Sequence, residues 1–301
     1  MSVLLADYKE VLMENYGIDL INAKTYWKKG YKGKGVVTAV IDSGCKINHP
    51  ELMSNIIGFQ NFTKDDGGDE KNVTDYIGHG THVSGIIAGS NKEVVCGVAP
   101  DSKILVLKVI DKNGKGEIQN VIRAIEYALT WKGPKGERVE IINMSLGTKN
   151  DSSQMKVVVS KAFEQNILIV VAAGNYGDGN GVTQEILYPG FYNEVIQVSA
   201  GDQNYEPTYF TNTNVEIDYL APGEEIFSTY LDNSFAKLSG TSMAAPHVAG
   251  ASALLVGYYK ELGLKMTIKQ IKREFDRSVV FNNNYTLSEQ GKGHIRLKDL
   301  K

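Results

Sequence analysis

The chain has 301 residues, 42% hydrophobic and 22% charged, a composition that supports a large buried core and excludes the disordered and fibrous classes. Its formal net charge of −3 supplies no electrostatic reason to bind nucleic acid or an anionic membrane. Two cysteines, Cys45 and Cys96, are too few for a disulfide framework, and no apolar run reaches the roughly 18 residues of a membrane span.

Taken in chain order, Met1 to Tyr8 lacks a basic stretch followed by an apolar export segment, so a reducing, cytoplasmic location is expected. From Val36 to Ile41 an apolar, β-branched run ends at Asp42-Ser43-Gly44, the pattern of a buried strand and a turn. Comparable strands are predicted over 104–109, 139–144, 167–173, 194–198 and 215–220. Between them, Ile118, Val121, Ile122, Ile125 and Leu129 recur at three- and four-residue spacings and predict an amphipathic helix. Met155, Val158, Val159, Ala162 and Phe163 repeat that stripe. Strands alternating with helices imply βαβ units. The expected fold is therefore α/β, a doubly wound, mostly parallel sheet with helices on both faces. Neither a Pro/Gly/Ser linker nor an internal repeat divides the chain. In such sheets functional groups collect beyond the carboxyl ends of strands, where Asp42, Ser145 to Gly147 and Asn175 fall.

Three segments carry unusual local composition: Asp42-Ser43-Gly44-Cys45, Gly78-His79-Gly80-Thr81-His82-Val83-Ser84-Gly85 and Ser239-Gly240-Thr241-Ser242-Met243-Ala244-Ala245-Pro246-His247. Ser242 opens an apolar helix among small residues, so its hydroxyl is presented without cover near the positive end of the helix dipole. A serine hydroxyl attacks only when an imidazole takes its proton, and a buried carboxylate must hold that imidazole in one tautomer. His79 and Asp42 can supply these roles. Acyl transfer also needs donors aimed at the developing oxyanion, which Asn175, released at a strand end by Gly174, and the Ser242 N–H can provide.

With these three motifs the chain resembles the subtilisin family of serine proteases, and more closely its intracellular branch, from about residue 25 to residue 300. The order Asp, His, Ser along the chain is the subtilisin order. The intracellular branch is suggested by Asp42-Ser43-Gly44-Cys45, by Asn61-Phe62-Thr63-Lys64-Asp65-Asp66-Gly67-Gly68 and by Gly174-Asn175-Tyr176-Gly177-Asp178-Gly179. The resemblance implies a peptidase domain over 25–301 behind an N-terminal extension, 1–24. It implies Ser242 as nucleophile, His79 as general base, Asp42 as orienting acid and Asn175 as oxyanion donor. Gly114, Lys115 and Gly116, with Ser145, Leu146 and Gly147, match two edges that pair with an extended polypeptide substrate. Ala172, Ala173 and Gly174 complete the walls of the pocket for the side chain preceding the scissile bond, the P1 residue. At its base family members usually carry glycine or another small residue; this chain carries Leu187.

The implied chemistry requires no cofactor. A structural calcium is the one ion the resemblance implies, with Glu51 among its ligands. The loop Gly89 to Cys96 that would supply further oxygens is one residue short and contains Lys92, so that site is expected to be weakened or missing. Val3 to Tyr8 lacks the proline of the inhibitory Leu-Ile-Pro-Tyr extension usual in the intracellular branch, so inhibition by this segment does not carry over. A homodimer is the one self-association the resemblance points to. His79 and His82, three apart, also fit a metal pair, but no third ligand is signalled nearby. His82 and His247 are expected to be structural, and both cysteines small buried apolar residues. Two other functions compete with this reading: a catalytically silent subtilisin-like peptide-binding module, and a nucleotide-binding protein suggested by Gly30 to Gly35. The second fails because that run precedes its strand and no Walker A motif occurs.

Overall fold

The computed structural model describes residues 15–90 and 94–300. The expectation for Val3 to Tyr8 and the position of Lys92 lie outside the described residues. Seven parallel strands form the central sheet: β1 (Val37–Asp42), β2 (Ile56–Asn61), β3 (Lys103–Lys108), β4 (Ile141–Met144), β5 (Leu168–Ala172), β6 (Ile196–Gly201) and β7 (Ile217–Pro222). Their order across the sheet is β2-β3-β1-β4-β5-β6-β7. Every residue of β1, β4, β5 and β6 is buried, the consequence of near-continuous Val, Ile, Leu and Ala runs covered on both faces.

One face is covered by helices His79–Ala88 and Thr241–Glu261, which pack on each other and bury Val83, Ile86, Ile87, Ala244, Ala245 and Val248. Helices Ile118–Thr130 and Ser153–Glu164 cover the other, burying Val121, Ile125, Met155 and Val159. Phe163, expected on the buried stripe, is 46% exposed at the helix end. Helix Thr241–Glu261 has no polar face over most of its length, because it runs through the interior on small residues. Ile18, Ile21 and Ala23, which fall within the expected extension 1–24, belong to the same core.

Three strands escape the periodicity argument. Strand β2 is an edge strand, mostly half-buried, and β8 (Ile226–Thr229) with β9 (Phe235–Leu238) forms a separate antiparallel hairpin of short strands. What positions the site is the register. Asp42 pairs with Lys108 across β1 and β3, and Ile41 with Met144 across β1 and β4, so these strands end together. After β1 the chain builds outward to β2 and β3 and then crosses to β4. The winding reverses at β1, where open α/β sheets bind ligands beyond their carboxyl edges.

Candidate active site

Asp42, the last residue of β1, is buried and accepts two hydrogen bonds on Oδ1, from its neighbour's Ser43 N–H at 2.7 Å and from His79 Nδ1–H at 2.7 Å. His79 opens the helix His79–Ala88 behind Gly78, which adopts a left-handed φ of 88°. Gly80 is required by the close approach: a side chain there would begin 2.2 Å from the Gly44 carbonyl and 3.2 Å from Asp42 Oδ1. The imidazole sits at the rim, 27% exposed, one nitrogen fixed by Asp42. Burial opposes its charge, but the charge of Asp42, the hydrogen bond to it and the more distant Asp75 carboxylate together raise its pKa above the ordinary 6.5.

Ser242 lies in the first turn of helix Thr241–Glu261, and the residues after it explain its setting. Pro246 has no N–H to give the Ser242 carbonyl, its i+4 partner. The vacancy is filled from the sheet: Ser145 Oγ donates to the Ser242 carbonyl at 2.8 Å, and Ser242 Oγ donates back to the Ser145 carbonyl at 3.2 Å. Asn143 Nδ2 donates to Ser145 Oγ at 3.1 Å from within β4. The hydroxyl thus faces the Ser145 carbonyl rather than the ring of His79.

Asn175 follows β5 after Gly174, whose φ is 114°. Its Oδ1 accepts the Thr241 N–H at 2.9 Å and the Thr241 hydroxyl at 3.0 Å, while Thr241 Oγ1 accepts the Gly174 N–H at 3.0 Å. With the oxygen held, the NH₂ end of this exposed side chain is turned outward beside Gly240. A fixed amide donor therefore stands next to the turn that carries Ser242.

The expected substrate edges lie on either side of a cavity of about 230 Å³ lined by Gly114, Gly116, Leu146, Gly147 and Tyr188. Gly114 to Gly116 form an exposed loop folded on Asp111, whose Oδ1 accepts the N–H groups of Asn113 and Lys115, both at 2.9 Å. Ile118, Val121 and Met155 also line this cavity, although periodicity assigned them to core stripes. Leu187 is 6% exposed and sits between the two expected walls. Its Cδ1 is 3.4 Å from where a side chain on Gly147 would begin and 2.6 Å from where one on Gly174 would begin. Its neighbour Tyr188 exchanges backbone hydrogen bonds with Thr148 at 2.8 and 2.9 Å, which fixes this segment against Ser145–Gly147.

Among the described residues, Glu51 is met by hydrogen-bond donors. Its buried carboxylate accepts the N–H groups of Val94 at 2.5 Å and Val95 at 3.0 Å on Oε1, and the Ser90 hydroxyl at 3.1 Å on Oε2. Calcium needs six to eight oxygens turned inward, whereas here donors point at the carboxylate. The described residues of this loop turn donors, not oxygen ligands, towards Glu51. Among the described residues no group of three His, Cys, Asp or Glu side chains is arranged to hold a metal.

His82 and His247 are fully buried and serve structure. His82 Nε2–H donates to the carbonyls of Ile226 and Ala236, each at 3.0 Å, and burial lowers its pKa to about 4. His247 Nδ1–H donates to the Met243 carbonyl at 2.8 Å, and burial again lowers the pKa to about 4. Burial pushes the Cys45 thiol well above its usual range and that of Cys96 to about 12, so neither supplies a thiolate near neutrality.

The chain also matches known proteins over most of its length. The model of the subtilase family matches residues 33–293. The chain is 47% identical over 247 residues to the major intracellular serine protease of Bacillus subtilis (strain 168), covering 81% of this chain and 76% of that one. It is 47% identical over 240 residues to an intracellular serine protease of Paenibacillus polymyxa, covering 79% and 72%. Subtilisin DY of Bacillus licheniformis is 40% identical over 248 residues, covering 82% and 86%.

Proposed function

The chain belongs to the subtilase family and is a serine endopeptidase, and from that premise we propose that Ser242, His79 and Asp42 carry its chemistry. The observation that carries the assignment is the 2.7 Å hydrogen bond from His79 Nδ1 to the buried Asp42, which leaves Nε2 as the free base. In this reading Ser242 Oγ leaves the Ser145 carbonyl, gives its proton to His79 Nε2 and attacks the substrate carbonyl. Catalytic hydrogen bonds of this kind commonly tighten only when substrate is bound. Asn175 Nδ2 and the Ser242 N–H receive the oxyanion, and His79 returns the proton to the leaving amine. Water then hydrolyses the acyl-enzyme by the same relay.

The substrate is a polypeptide, held in this proposal as an extended strand between Gly114–Gly116 and Ser145–Gly147, with an apolar side chain in the cavity between them. No cofactor takes part, and Glu51 closes its loop instead of binding calcium. The two most similar relatives named above are called intracellular, which supports the same working location here. Among the described residues no helix is long and apolar enough to cross a membrane.

The test is labelling by a fluorophosphonate together with peptide turnover. Wild type should label and turn over, and Ser242→Ala should do neither while keeping its fold. Turnover by Ser242→Ala would sink the assignment, and a folded wild type that neither labels nor cleaves would restore the silent peptide-binding reading.

A further inference from the structure

Asp75 belongs to none of the roles above, yet its carboxylate is the most heavily used polar group near the site. It lies four residues before His79 and is 5% exposed. Oδ1 accepts the Ser43 hydroxyl at 3.0 Å and the N–H groups of Ile77 at 3.0 Å and Gly78 at 2.8 Å. Oδ2 accepts the N–H of Thr81 at 2.9 Å and its hydroxyl at 2.7 Å. Ser43 Oγ in turn accepts the Gly80 N–H at 2.9 Å, and Thr81 Oγ1 accepts the Lys46 N–H at 2.9 Å.

These bonds join two pieces of chain that meet only in the folded molecule. Ser43 and Lys46 belong to the turn leaving β1, which carries Asp42. Gly78, Gly80 and Thr81 belong to the start of the helix that carries His79, whose first N–H groups have no carbonyl partner within the helix. A single buried carboxylate satisfies both, and the helix dipole favours an anion at this end. The relative placement of Asp42 and His79 therefore depends on a residue that touches neither ring nor substrate.

We propose that Asp75 is a positioning residue of the reaction: its carboxylate holds the Asp42 turn against the His79 helix, and its fixed negative charge acts on the imidazole. This rests on the reading of Asp42, His79 and Ser242 given above. The other groups facing this region include Cys45 in the Asp42 turn, whose thiol is kept protonated by burial and by the Asp75 carboxylate, and Tyr230, whose hydroxyl donates to the Ile77 carbonyl at 2.9 Å. Asp42 comes from β1, and Lys108 from β3 bonds the Ser43 carbonyl at 2.8 Å and pairs with Asp65 at 3.2 Å. His82 on the same helix and His247 on the packed helix Thr241–Glu261 are neutral above about pH 4. Strand β8, packed against the His79 helix, carries no titratable side chain. The acidic groups nearest His79 are thus the Asp42 and Asp75 carboxyls, with the buried Lys108 side chain behind the Asp42 turn.

The experiment compares wild type, Asp75→Asn, Ser43→Ala and Ser242→Ala on one peptide substrate from pH 5 to 9, with thermal unfolding of each. Asp75→Asn should lose roughly tenfold or more in kcat with KM nearly unchanged, since small displacements of reacting groups are costly. Its acid limb of kcat/KM should move to lower pH, because one of two anions favouring the imidazolium is gone. Ser43→Ala keeps the charge and cuts the link, so it should lower kcat without moving that limb. Wild-type kcat with an unmoved limb in Asp75→Asn, or a loss confined to KM, would overturn the proposal. Should Asp75→Asn not fold, Ser43→Ala decides, and wild-type kcat there overturns the positioning role. An inactive Ser242→Ala beside a wild-type-like Asp75→Asn removes Asp75 alone, whereas an active Ser242→Ala removes the triad reading itself.

Discussion

Asn175 has a side chain whose oxygen is tied twice to Thr241, so its amide has one direction left. A donor fixed before the reaction stabilises charge that appears only in the transition state, and the loss should therefore fall on kcat. Asn175→Ala is expected to lower kcat by roughly a hundred- to a thousandfold with KM nearly unchanged, as removal of such a donor does in a subtilisin. Steady-state kinetics check it, and a loss confined to KM would mean that Asn175 binds ground-state substrate. His79 sets the pH range. Its raised pKa places the inflection of kcat/KM above 6.5, activity rising with pH as the imidazole loses its proton. A flat profile from pH 5 to 9 would remove histidine as the base. Leu187 sets specificity in the same reading. It fills the space between Gly147 and Gly174 with four carbons that glycine would lack. One surplus methylene in a tight pocket is worth about 1–3 kcal/mol, or roughly 10- to 200-fold in kcat/KM. Small or medium P1 residues should be preferred over phenylalanine and tyrosine, and Leu187→Gly should restore cleavage after aromatics. Matched tetrapeptides differing only at P1 measure this; a wild type that already favours phenylalanine, with the ratio unchanged in the variant, would place Leu187 outside the pocket.

Between elements, the joint that matters is the one between β4 and helix Thr241–Glu261. A proline in the second turn of a helix leaves an unpaired carbonyl, here that of Ser242, and the sheet supplies its donor through Ser145 Oγ. The Ser242 carbonyl is part-buried, so the cost of about 1–3 kcal/mol for leaving a buried acceptor unsatisfied falls here at its low end. Ser145→Ala should therefore lower stability by about that amount, and it should lower kcat because the turn bearing Ser242 loses its tether. Denaturant unfolding and turnover measured together test both halves. Unchanged stability would mean that the carbonyl finds another donor, and an unchanged kcat would mean that the tether does not set the position of the nucleophile.

At the scale of the molecule, His82, His247 and His294 are all buried, each with its pKa lowered to about 4, mainly by burial. The unfolded chain binds their protons near 6.5 and the folded chain does not. Folded pKa values below unfolded ones mean that this stability is present above about 6.5 and is lost as pH falls towards 4. His79 has the opposite sign: its raised pKa adds stability below 6.5 that is lost as pH rises through the folded value. The three buried histidines should together reduce unfolding free energy by about 4–5 kcal/mol between pH 6.5 and 5, at about 1.4 kcal/mol per proton and pH unit. Denaturant titrations of Ser242→Ala, used to avoid self-digestion, measure it. Stability unchanged over that interval would show that these side chains are protonated in the fold.

Local sequence alone was enough for the alternation of strands and helices, because burial on two faces demands continuous apolar runs and burial on one demands a three- to four-residue stripe. It was enough, too, for the three motifs around Asp42, His79 and Ser242, since close approach needs glycine and small residues at fixed neighbouring positions, as at Gly80. Edge strand β2 and the hairpin β8–β9 were hidden, being half-covered or short and carrying no period of their own. Asp75 and the partnerships of Ser145 and Thr241 were hidden for a different reason. Their partners are Ser43, Ser242 and Asn175, which lie 32, 97 and 66 residues away. A polar side chain has no periodic signature, and which donor it meets is decided only when the strand ends align. The same holds for Glu51, whose Val94 and Val95 N–H partners lie 43 and 44 residues further along the chain. Leu187 was legible as a residue out of place, but the walls on either side of it, Gly147 and Gly174, come together only through the order β4-β5 in the sheet.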